Sequence, residues 1–132
     1  SGEIVLMDNV GRANGSRFRH RTSITLPTDN PTALAAADVD GDGYPDLVLG
    51  TRTNPNPGRL LVYRNTHASS TWTFSLVQSI SAPGAVTRQV VAMTTGNFNY
   101  TSSPATAAPY KTDLVICWRH SRSTGYYVVY TR

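Results

Sequence analysis

The chain has 132 residues, with 39% hydrophobic and only 15% charged positions. That is one domain's worth of protein, with enough apolar content for a core and too few charges for a disordered tail. No apolar run approaches the ~20 residues of a membrane helix. No charged-then-apolar leader opens the sequence, so any targeting segment is expected to lie outside it. Net charge is +4, and Lys111 is the one lysine among arginines. Cys117, the single cysteine, sits in an apolar run and reads as a buried inert thiol. It excludes an intrachain disulfide and a cysteine-rich zinc site.

In chain order, short β-branched segments bounded by turn residues predict strands over 3–8, 23–26, 34–37, 46–50, 59–64, 73–80, 89–93, 113–118 and 126–130. Only 32–37, with its alanines, offers a competing helical turn. Segments 2–9, 58–65 and 125–132 each open on glycine and run through strand formers, and the first two end on Asn9 and Asn65. A second repeated unit pairs Asp38-Val39-Asp40 with Asn97-Phe98-Asn99, and 45–49 with 112–116. Between them the second copy inserts the Thr-, Ser-, Pro- and Ala-rich segment 100–111. A four-stranded unit recurring every ~40–60 residues is the signature of a propeller blade. The expected fold is therefore all-β, with four-stranded antiparallel blades of β-propeller type, about two of them in one β domain. Residues 1–32 supply partial blade strands, 33–82 a complete blade, and 83–132 a second, degenerate blade.

Four of the eight acidic residues crowd into Asp38-Val39-Asp40-Gly41-Asp42-Gly43-Tyr44-Pro45-Asp46. These carboxylates repel one another unless a cation neutralises them. Hard oxygens at positions 1, 3, 5 and 9, with the Tyr44 carbonyl at 7, suit Ca²⁺ better than the tighter octahedron of Mg²⁺. Gly41 and Gly43 let the backbone curl round an ion, and Pro45 fixes φ ahead of the next strand. An EF-hand would need Glu at position 12, where this chain has Leu49, and flanking helices where it has a strand pattern.

Segment 36–50, followed by 58–65, resembles the FG-GAP/VCBS repeat, the blade of integrin-α-type β-propellers and of many secreted proteins. The resemblance runs from about residue 33 to 80. It implies a structural Ca²⁺ held by Asp38, Asp40, Asp42, the Tyr44 carbonyl and Asp46. A degenerate second metal loop would fall on Asn97, Asn99 and Asp113. It also implies adhesion or ligand recognition, of protein or carbohydrate, in a secreted or cell-surface protein. Extracellular calcium would fill even a site of ~10⁻⁴–10⁻³ M.

Catalysis finds little support. His20, His67 and His120 stand in no nucleophile motif, no glycine loop cradles phosphate, and outside the metal loop only Glu3, Asp8, Asp29 and Asp113 carry carboxylates. The chain is not expected to be an enzyme. Arg17, Arg19 and Arg21 alternate, so a strand would put them on one face. They read either as a solvated outer strand guarded against edge pairing or as a site for an anionic ligand such as an acidic glycan. Arg119-His120-Ser121-Arg122 reads as a basic turn, and no nucleic-acid recognition motif accompanies the charge. Trp72, Trp118, Tyr126, Tyr127 and Tyr130 are expected in the core first and as sugar platforms second. Asn14-Gly15-Ser16 and Asn99-Tyr100-Thr101 match glycosylation acceptors. Neighbouring blades, from the same parent protein or from other copies, are the expected partners. An ancillary module of a secreted polysaccharide-active enzyme and a self-assembling propeller lectin are the alternatives.

Overall fold

The computed structural model describes residues 2–11, 15, 17–26, 28–52, 57–67, 72–82, 88–96, 112–120 and 125–130. They form nine strands: β1 Gly2–Asn9, β2 Phe18–Leu26, β3 Asn30–Ala37, β4 Asp46–Arg52, β5 Arg59–Asn65, β6 Phe74–Ser81, β7 Arg88–Gly96, β8 Asp113–His120 and β9 Gly125–Tyr130. Every strand expected from the sequence is present, and among the described residues there is no helix. The alanine-rich 32–37 segment is extended, with Ala35 opposite Val48 and Ala36 opposite Leu47. Pairing with a fully buried strand overrides alanine's helix preference.

The strands form three antiparallel sheets in chain order, β1-β2, β3-β4-β5-β6 and β7-β8-β9. The sheets repeat one another down to their irregularities. The β1–β2 ladder slips between Leu6 and Met7, and the β5–β6 ladder slips at the equivalent Val62 and Tyr63. The β3–β4 ladder slips between Pro31 and Ala33, and β7–β8 between the equivalent Val90 and Ala92. The hairpin turns match as well. Val10 N–H donates to Arg17 O and Thr66 N–H to Thr73 O, both at 2.9 Å. Asn9 and Asn65 each accept, at the side-chain oxygen, the N–H two residues on, from Gly11 and His67. The blade-type repeat is thus carried by bulges and turns as well as by apolar residues.

Burial explains why the middle sheet reads as nearly continuous apolar runs. On β4 and β5, Val48, Leu60 and Val62 face the third sheet and join Val90, Leu114, Ile116 and Trp118 in one cluster. The alternate residues Leu47, Leu49, Leu61 and Tyr63 face the first sheet and join Ile4 and Leu26 in another. A strand covered on both faces loses the polar alternation of a one-sided sheet. Gly50 on β4 lies directly against Val90, where an added β-carbon would collide with the valine side chain. The Gly58 N–H also donates to Arg88 O, at 2.6 Å, linking the second and third sheets.

Candidate metal centre

The acidic loop joins β3 to β4, the first two strands of the middle sheet. Gly41 and Gly43 take φ of +82° and +89°, conformations that L side chains rarely adopt, and so let the loop turn back on itself. One carboxylate oxygen from each of Asp38, Asp40 and Asp42 lies within 4.8 Å of the other two. Asp38 organises the turn: its Oδ1 accepts N–H groups from Gly41 at 2.7 Å and Asp42 at 3.1 Å, and its Oδ2 accepts that of Gly43 at 2.8 Å. Asp40 Oδ1 accepts the Asp42 N–H at 3.2 Å, and Asp42 Oδ1 accepts that of Tyr44 at 2.9 Å. The Tyr44 N–H holds the Asp42 carboxyl below its ordinary value; Arg64 and His67 add to this, and partial desolvation opposes it.

Asp46 stands apart from that trio. It is fully buried at the head of β4. Its Oδ2 accepts the Val39 N–H at 3.0 Å and its Oδ1 the Asn65 N–H at 2.8 Å. It therefore pins the loop to the end of β5. Asp113 holds the matching place in the third sheet, opposite Gly96 as Asp46 is opposite Ala37, and is also buried. Asn97 and Asn99, the rest of the degenerate second loop, lie outside the described residues.

The end of β5 and the turn after it close over the acidic loop, a feature not anticipated from the sequence. Arg64 places Nε 2.6 Å from Asp40 Oδ2 and Nη2 3.4 Å from Asp42 Oδ2. His67 Nε2 lies 3.6 Å from Asp42 Oδ2, and its ring stacks on that of Tyr44 at 4.3 Å between centroids. Asn65 Nδ2 donates to Pro45 O at 3.2 Å. His67 has φ of +34°, uncommon for a residue with a side chain. The sequence signal was the recurring asparagine closing the repeat at Asn9 and Asn65. From the loop's other side, the Thr112 N–H donates to Asp38 O at 3.2 Å, so the loop also touches the third sheet.

The remaining candidates scatter. Arg19, on β2, pairs with Asp8 directly across the ladder at 3.3 Å. Arg21 falls at the β1–β2 bulge, between the partners of Leu6 and Met7, which interrupts the simple alternation with Arg17 and Arg19. Trp118 is core, whereas Trp72 is exposed.

Comparison with known proteins points to the same segment. Residues 30–63 match the family model of the FG-GAP repeat. That family typically supplies non-catalytic modules of extracellular or surface proteins. No curated protein and no solved structure matched the chain.

Proposed function

With residues 30–63 an FG-GAP repeat, we propose that loop 38–46 holds a structural Ca²⁺ and that the chain is a non-catalytic recognition module of a secreted or surface protein. The observation that carries this is the convergence of one oxygen each from Asp38, Asp40 and Asp42 within 4.8 Å. The donor set fits the ion: every group offered is a hard oxygen, and Ca²⁺ accepts such ligands at about 2.3–2.6 Å in irregular arrangements. Asp38, Asp40 and Asp42 would be the primary ligands, with the Tyr44 carbonyl and Asp46 completing the set. Asp46, which stands outside the trio, would join it only through the second lone pair of an oxygen that already accepts an N–H. A bound ion supplies two positive charges, which relieve the repulsion inside the loop and stabilise the folded state.

Recognition of a protein or glycan ligand belongs to the assembled blades, and an uncovered face supports the need for a further blade. Val5 and Met7 on β1 are 49% and 44% exposed. Leu61 and Tyr63, at the same positions of the repeat in the middle sheet, are 2% and 8% exposed. What the first sheet covers in the second, a neighbouring blade would cover in the first.

The test is a calcium titration followed by thermal unfolding. A hundredfold excess over Kd should raise Tm by about 5–15 °C, and Asp42→Ala should remove that rise. A wild-type Tm that ignores millimolar calcium would overturn the proposal.

A further inference from the structure

The cluster's positive neighbour is built into the chain. Arg64, the residue before the asparagine that closes the repeat, engages Asp40 Oδ2 through Nε at 2.6 Å and Asp42 Oδ2 through Nη2 at 3.4 Å. Asp38 is served differently, by three backbone N–H groups. Among the described residues, the full positive charge set against Asp40 and Asp42 therefore comes from Arg64, with His67 3.6 Å from Asp42 Oδ2 beside it. A guanidinium stays charged at any physiological pH. It therefore competes for those oxygens with any other cation throughout that range.

We infer that Arg64 is the loop's resident counter-cation and sets its calcium threshold. An entering ion must take Asp40 and Asp42 from Arg64 or share them with it. One side chain thus acts in two opposite directions: it holds the metal-free loop together and weakens metal binding. The inference rests on the calcium reading above and concerns the regulation of that same site. Arg64 and Asp40 are both partly exposed, at 49% and 31%, so solvent screens the competition and limits it to about tenfold in affinity.

The test compares wild type with Arg64→Gln by calorimetric calcium titration and by thermal unfolding with and without calcium. Arg64→Gln should bind calcium about tenfold more tightly, melt lower than wild type without the ion, and melt level with it when loaded. Equal or weaker calcium affinity in the folded variant would overturn the inference while leaving the calcium reading intact. Failure of both proteins to bind calcium would overturn the calcium reading and this inference together. Wild type supplies an independent readout. Its Arg64 Nε–H resonance, assigned by comparison with Arg64→Lys, should shift once calcium is added, because the carboxylates beside it change partner. A resonance indifferent to bound calcium would overturn the displacement.

Discussion

Asp29, just after β2, grips Arg59 at the start of β5, its two carboxylate oxygens accepting from Nε and Nη2. Asp29 is buried, and Thr51 Oγ1 also donates to it, at 3.2 Å. The pair ties the exit of the first sheet to the centre of the second, on a part of the middle sheet away from the acidic loop.

Acid should therefore weaken the fold through Asp29. Burial alone would raise its pKa, but hydrogen bonds and attraction from Arg59, with the Thr51 and Thr28 hydroxyls, outweigh burial and bring it below 3.8. A carboxyl depressed in the folded state stabilises the fold above its unfolded pKa, and that contribution is lost as pH falls through the folded value. Urea unfolding of wild type should show stability falling below about pH 4. Asp29→Asn should flatten that fall and cost about 1–3 kcal/mol at pH 7, a range reduced because solvent reaches Arg59. An acid limb unchanged in the variant would exclude this role.

Asp46 should be intolerant even of its amide. Both its oxygens accept backbone N–H groups, and an asparagine side chain in its place would turn an NH₂ donor toward one of those two donors. We expect Asp46→Asn to lose about 2–4 kcal/mol by chemical denaturation, because it leaves one of the two N–H groups facing a donor, and Asp46→Ala to lose more, because it leaves both without an acceptor. A near-neutral Asp46→Asn would show that the clamp is dispensable.

The spacing of the second and third sheets should depend on Gly50. Gly50→Ala drives a methyl into Val90, and overpacking of this kind costs about 1–3 kcal/mol. Val90→Ala should recover part of the loss when combined with it, so that the two changes are less than additive in a double-mutant cycle. Strict additivity would mean the contact is relieved elsewhere.

The strands were legible because their apolar residues are short, β-branched and repeated, and a doubly covered sheet leaves long apolar runs in the sequence. The expected strand at 23–26 proved much longer, reaching back to Phe18. Its added residues are mostly polar and exposed, held by the ladder to β1 and by the Asp8–Arg19 pair, which hydrophobic patterning does not register. The Asp38–Asp42 cluster was equally legible, since its spacing fixes a turn. Asp46 was read from the same spacing as a ligand, but its two backbone hydrogen bonds depend on Val39 and Asn65 meeting in space. The sequence does not link Arg64 and His67 to the loop for that reason: they lie far from it along the chain, and only strand pairing brings them to it.

In all three sheets every hydrogen-bonded strand pair is adjacent in the chain, and each sheet packs on the one before it. Among the described strands, none must wait for a hydrogen-bonding partner from another sheet. A chain leaving the ribosome from its amino end can therefore complete the ladders of each sheet in turn, and each new sheet then covers the apolar face of the one before it.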